Sequence, residues 1–318
     1  MGRKLDAAVG ALNGVIGDYL ERTGNGLATE MCLLRGGAAV PTTREGLFGE
    51  GADAPRKLVV LVHGLMSTED VWRMPDGETY GTLLEKQLGH AAFELRYNSG
   101  RRISQNGESL DALLDALTAA HPGPIDELVL VGHSMGGLVI RSATHAASER
   151  QSAWLPLAKR VFYVGAPHLG APLERFGNAV TWALGKAPHP ITLLIADILK
   201  LRSVGVKDLR YGNLRREDWD GADADALLTN SRHPVPLLPH IRHHLVAGTL
   251  SADLTSKILL GDVLVPVRSA TGRAEDADRA PPFPQEHVAL LPSINHLRLA
   301  HDPDVFERIR AWCEEPLS

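Results

Sequence analysis

Gly132-His133-Ser134-Met135-Gly136 is the stretch of this chain whose residue types and spacing most directly imply chemistry. It follows the apolar run 128–131, and apolar residues resume at helical spacing from Leu138. That order is buried strand, sharp turn, helix. A serine in such a turn takes a strained backbone conformation that leaves no room for side chains two positions before and after it, and Gly132 and Gly136 supply none. The turn pushes the Ser134 hydroxyl out at the carboxyl edge of a sheet, while the first helical amides, Met135 foremost, aim N–H groups at negative charge forming beside it. This is a geometry for attack on a carbonyl. A chain with 31 glycines could produce the pentapeptide by chance, but the flanking strand and helix are the context that gives it meaning.

A serine hydroxyl is nearly inert at neutral pH, so it needs a base to take its proton and an acid to orient that base. With this turn on a parallel sheet, acid and base follow the serine in that order. Asp262 lies in a loop between apolar stretches of 259–267, with Asp253 as an alternative. His296, in Ser293-Ile294-Asn295-His296, follows the last expected strand directly and can reach over the serine from a loop. His301 and His287 are alternatives. A second amide for the oxyanion comes from His63-Gly64-Leu65-Met66, where the glycine lets the chain turn so that the Leu65 N–H faces the site. His63 and His133 sit inside turns, His168 follows a strand, and His240, His243 and His244 lie on or beside one. These read as structural, and no acidic or cysteine partner stands at ligand spacing for a metal.

The elements that must hold these groups can be read from periodicity. Strands are expected over 57–65, 92–97, 128–131, 160–165, 241–248 and 288–292, and helices over 79–88, 109–120, the segment behind Ser134, and 302–312. Such alternation implies a mostly parallel sheet with helices on both faces. Leu5, Val9, Leu12, Ile16 and Leu20 form an amphipathic stripe for a first helix, and Gly36-Gly37 suits a hairpin. After 167 the alternation stops. Helices over 176–184 and 191–201, then a loop with Tyr211 and Trp219, read as a helical cap. The expected division is 1–54 as an N-terminal extension, 55–167 and 239–318 as the two parts of the core, and 168–238 as the cap.

The chain of 318 residues is 44% hydrophobic and 22% charged, with a formal net charge of -5 spread without long blocks. Phosphate binding needs a concentrated basic surface, so a nucleic-acid partner is not expected. No apolar run is long enough to span a bilayer. Asp6, Gly10, Asn13, Gly14, Gly17 and Asp18 interrupt the N-terminal apolar run, so it reads as a retained helix of a cytoplasmic protein with at most peripheral membrane contact. Cys32 and Cys313 read as core thiols.

Taken together, His63-Gly64-Leu65, Gly132-His-Ser-Met-Gly-Gly137, Gly165-Ala-Pro-His-Leu-Gly-Ala-Pro172, Gly261-Asp262 with Val265-Pro266, and Asn295-His296-Leu297 resemble the α/β-hydrolase lipases and esterases. They are similar in particular to bacterial proteins of the GPI inositol-deacylase-like branch. Val263 departs from the glycine that relatives often carry after the aspartate. The resemblance implies an α/β-hydrolase fold with a helical cap and a cofactor-free carboxylic ester hydrolase: Ser134 as nucleophile, Asp262 as acid, His296 as base, and Leu65 and Met135 as oxyanion donors. Met66, His133, His168, Leu194 and Ile198 are expected to line the pocket for a small-molecule ester or lipid. Thioester or amide cleavage by the same groups and a non-catalytic binding protein on the same fold are the competing expectations.

Overall fold

The computed structural model describes residues 2–50, 54–171, 203–220, 233–249 and 283–317. Asp262, Leu194, Ile198, the expected helices over 176–184 and 191–201, and the alternative acid Asp253 lie outside these residues. Along the chain, the described helices are α1 (Arg3–Arg22), α2 (Arg44–Phe48), α3 (Tyr80–Leu88), α4 (Ile103–Ala119), α5 (Met135–Arg150), α6 (Val204–Tyr211) and α7 (Pro303–Glu314). The strands are β1 (Cys32–Arg35), β2 (Ala38–Ala39), β3 (Lys57–Val62), β4 (His90–Arg96), β5 (Glu127–His133), β6 (Ala158–Val164), β7 (Arg242–Thr249) and β8 (Val288–Pro292).

The eight strands form one sheet in the order β2-β1-β4-β3-β5-β6-β7-β8, antiparallel at the β2-β1-β4 end and parallel from β4 onward. Continuous apolar strands belong at the centre of such a sheet, because both faces are covered. Side chains alternate across it. Leu58, Val60, Val62, Leu128 and Leu130 pack with residues of α4 and α5 on one face, while Val59, Leu61, Val129 and Val131 pack with Trp72, Tyr80 and α7 on the other. Parallel register sets Val62 opposite Gly132 and His133 opposite Val164. The carboxyl ends of β3, β5 and β6 therefore finish side by side, where loop residues can converge.

Local signals end several elements as expected. Thr79 caps α3, and Asp302 caps α7 with Pro303 in its first turn. The short α2 stands where no helix was expected, and two longer helices depart from the expectation. α4 begins at Ile103, well before 109, because its first amide is capped from a distance: Ile103 N–H donates to Asp208 Oδ2 at 3.0 Å, and Asp208 also pairs with Arg102 at 2.7 Å. No nearby residue announces that start. Asp208 belongs to α6, which stands where a loop around Tyr211 was expected; Ser203 caps it, its side chain accepting from Val206 N–H.

The first helix forms, but the expected stripe is not its buried face. Leu5 is 52% exposed, and Val9, Leu12 and Ile16 are only half-buried. Of the stripe Leu20 is buried, and Gly10, Asn13, Gly14, Val15 and Gly17 face inward with it. The helix lies against loop backbone rather than an aliphatic layer, and glycine permits that close approach. Cys32 and Cys313 are both free thiols, half-buried and buried respectively.

Beneath this architecture, Arg160 on β6 and Glu127 on β5 form an ion pair at 1% and 3% exposure. Breaking a buried pair by removing one partner strands the other charge and costs about 3–5 kcal/mol. Arg160→Met should lower the urea midpoint accordingly, and the double replacement Arg160→Met with Glu127→Met should recover most of the loss; equal midpoints for the single variant and the parent chain would contradict this.

Candidate active site

Ser134 stands between β5 and α5 with φ 53° and ψ −124°, a left-handed conformation that L residues adopt only under constraint. Its N–H donates to Val164 O at 2.9 Å, which ties the turn to the neighbouring strand. A Cβ at Gly132 would lie 2.6 Å from Gly137 Cα, and one at Gly136 would lie 2.2 Å from Val62 O, so side chains there are excluded by backbone. Ser134 occupies the N-cap position of α5 without a side-chain capping bond, which places the Met135 N–H in the first turn, among the amides without an intrahelical partner.

The turn after β3 comes right up to the serine. A Cβ on Gly64 would meet Ser134 Cβ at 3.0 Å. His63 Nδ1 lies 2.8 Å from Gly64 O, and because a carbonyl only accepts, Nδ1 carries the proton. The Gly64 carbonyl and the Leu65 N–H belong to one trans peptide, so holding the first in one direction aims the second in the other. His63 is itself fixed by stacking on Tyr97 at 4.4 Å, and the Tyr97 hydroxyl donates to His63 O at 2.8 Å.

His296 arrives from the loop after β8 and is 3% exposed. Its ring centroid lies 5.0 Å from that of His133, the residue before the serine. A Cβ on Gly165 would lie 3.2 Å from its Nδ1 and Cε1. Two ties hold the loop. His133 Nε2 donates to His296 O at 2.9 Å, and the Tyr80 hydroxyl sits 2.8 Å from Leu299 O and 2.9 Å from Asp302 O.

The structure therefore brings Ser134, Met135, Leu65, His133 and His296 together at the ends of β3, β5, β6 and β8. Met66 adjoins them on the far side of Leu65, against α1. His133 is 2% exposed, its ring held by His296 O and edge-on to Trp72 at 6.2 Å. His168 is 1% exposed, packed edge-on to Tyr163 at 4.9 Å and beside Phe283 at 5.1 Å, with Arg141 nearby. His301 Nδ1 engages Val71 O at 3.1 Å, and His287 packs on His244. His243 accepts from the Tyr163 hydroxyl at 3.0 Å and donates to Leu238 O at 3.2 Å, so it serves packing. No group of three or more metal-ligating side chains occurs among the described residues. Sequence reading missed the roles of Tyr97 and the Asn98-Ser99-Gly100 loop behind Met66; a glycine a few residues beyond the strand was the available signal.

Residues 59–309 match the Alpha/beta hydrolase family. The chain belongs to that family. Among solved structures it resembles the mature form of the lipase BlEst2 from Bacillus licheniformis, at 18% identity and a TM-score of 0.51, over 83% of this chain and 94% of that one. The propeptide form gives 18% identity and a TM-score of 0.52, with 84% of this chain covering 52% of that one. The esterase Pf2001 from Pyrococcus furiosus is similar at 15% identity and a TM-score of 0.47, over 82% of this chain and 81% of that one. No curated protein matches the chain. At these identities the likeness to the two BlEst2 forms is one of fold.

At the Ser134 turn and in the sheet behind it, burial keeps imidazoles neutral. It pulls His63 down to about 4, His133 to about 3, His243 to about 4 and His244 to about 2. In the unfolded chain such rings take up protons near pH 6.5. The unfolded state thus binds more protons below that value, and stability falls as pH drops from about 6.5 toward 4. His244 is the cleanest case, stacked on Phe162 at 4.9 Å with neither nitrogen hydrogen-bonded among the described residues. His244→Phe should lessen the stability lost between pH 7 and pH 5 by about 2 kcal/mol. Parallel denaturation curves at the two pH values, with the same loss in both proteins, would contradict the assignment.

Proposed function

We propose that this protein is a serine hydrolase that cleaves carboxylic esters through an acyl-enzyme. The observation that carries the reading is the left-handed Ser134 at the end of a central strand, with the His296 loop tied directly to the residue before it. In the first step His296 takes the Ser134 proton as the oxygen attacks the ester carbonyl, and the Leu65 and Met135 amides hold the oxyanion. Collapse expels the alkoxide, which leaves with the proton from His296. Water then gives a proton to the same imidazole as it attacks the acyl carbon, and collapse breaks the bond to Ser134 Oγ, which takes the proton back from His296 as the acid leaves. Asp262 is assigned as the partner that orients His296, on the strength of the sequence motif that contains it.

Electrostatics favour this assignment for His296. The ring beside it stays uncharged far below neutral pH, so the imidazolium formed in the transition state meets no cationic neighbour in His133. Leu194 and Ile198 are proposed as apolar walls for an acyl chain, with Met66 near the carbonyl end. The aliphatic residue pattern of 191–201 supports acyl-chain or small apolar esters as substrates.

Ser134→Ala should abolish turnover of p-nitrophenyl esters while leaving the circular dichroism spectrum unchanged, and a fluorophosphonate should label Ser134 in the parent chain. Undiminished turnover by the alanine variant would sink the mechanism. Assaying matched oxygen esters, thioesters and anilides of increasing chain length would then rank the substrate classes, with esters expected first.

A further inference from the structure

α1 contributes three glycines to a surface that meets the site from behind. A Cβ on Gly14 would lie 2.4 Å from Met66 Cγ and 2.7 Å from both Met66 Cα and Met66 N, and one on Gly10 would lie 2.6 Å from Thr68 Cγ2. One on Gly17 would overlap Asn98 Oδ1. Met66 follows Leu65 directly and has φ 56°, a left-handed conformation on an unbranched, non-glycine residue. Such strain persists only where surroundings over-determine it. Here the restraints are visible: the Met66 N–H donates to Ser99 Oγ at 3.1 Å on one side, and Gly14 closes against the Met66 backbone on the other.

The helix is locked in turn by groups that take its carbonyls. Ser203 Oγ donates to Gly14 O at 2.7 Å and Ser203 N–H to Val15 O at 2.9 Å, while Asn98 Nδ2 donates to Gly17 O at 2.9 Å. These external donors coincide with a break in helical geometry at Ile16, φ −136° and ψ 21°. Asn98 Oδ1 also accepts from Gly100 N–H at 3.0 Å, so the loop carrying Ser99 is built into the same contact. A helix whose only task was to cover apolar surface would bury its aliphatic stripe. This one presents glycine to loop backbone and spends its carbonyls on holding itself there.

We propose that α1 is a positioning element for the oxyanion turn, with Gly14 and Ser99 as positioning residues that hold Met66 in its left-handed conformation and thereby set the Leu65 amide. The inference rests on the serine-hydrolase reading above. It assigns the N-terminal extension a part in transition-state stabilisation, because an amide displaced from the oxyanion loses far more than one displaced from a ground-state carbonyl.

The test uses the full chain and reads kcat per titrated active site, KM, and the affinity of an alkyl boronic acid, which forms a tetrahedral adduct with the serine. Loss of a whole oxyanion donor costs roughly 100- to 1,000-fold in kcat; a displaced donor in Gly14→Ala, or one released in Ser99→Ala, should cost roughly 10-fold or more. Boronate affinity should fall in parallel, with KM within about threefold. Ala8→Val, on the exposed face of the same helix, should match the parent chain. A role confined to stability would lower the melting temperature and leave kcat per titrated site unchanged, and that result in Gly14→Ala and Ser99→Ala would overturn the proposal. Should Gly14→Ala fail to fold, Ser99→Ala alone decides, since it deletes one hydroxyl without adding bulk. Activity retained in Ser134→Ala would instead defeat the mechanism itself, so the two failures are distinct.

Discussion

The constraint on which the rest depends is steric: one serine must hold a left-handed backbone between a buried strand and a helix, and every atom around it must leave room. Gly132 and Gly136 give up their side chains because Gly137 and Val62 backbone atoms already fill those positions. The hydrogen bond from Ser134 N–H to Val164 O recovers part of the cost by joining the turn to β6. The sheet is wide and rigid enough to hold this conformation because its central strands are apolar on both faces. Strain at one residue is supported by burial across many.

A second layer of order concerns direction rather than space. His63 holds the Gly64 carbonyl, His133 holds the His296 carbonyl, and Tyr80 brackets the segment from Leu299 to Asp302. Each tie is made by a ring that burial keeps neutral or fully protonated as a phenol, so it donates the same hydrogen bond across the neutral pH range. Fixed donors of this kind require no reorganisation as charge develops. The cost falls on acid tolerance, since imidazoles that refuse protons in the folded state accept them once the chain unfolds.

Much of this could be read from residues alone, and the exceptions have physical causes. The strand-turn-helix around Ser134 is legible because its signals are local: glycine spacing, an apolar run, helical periodicity. The β1–β2 hairpin and the capped start of α7 are legible for the same reason. The start of α4 is not, because its cap, Asp208, is 105 residues away in sequence. The buried face of α1 was misjudged because hydrophobic periodicity assumes an aliphatic partner, and its true partner is loop backbone that only glycine can approach. The hydrogen bond from the His133 ring to the His296 carbonyl is not legible either, because its partner is 163 residues away. Asp262 rests on its motif.

The sheet order carries one more implication. The serine is borne by a central strand, but the imidazole is delivered by β8, which among the described residues lies at an edge and pairs with β7 alone. Edge strands fray before interior ones, since they have half the pairing and less cover. Under the proposed chemistry, catalytic competence is therefore a property of a marginal seam of the sheet: heat or denaturant would silence the enzyme by peeling one ribbon away while the interior still gave the spectrum of a native protein.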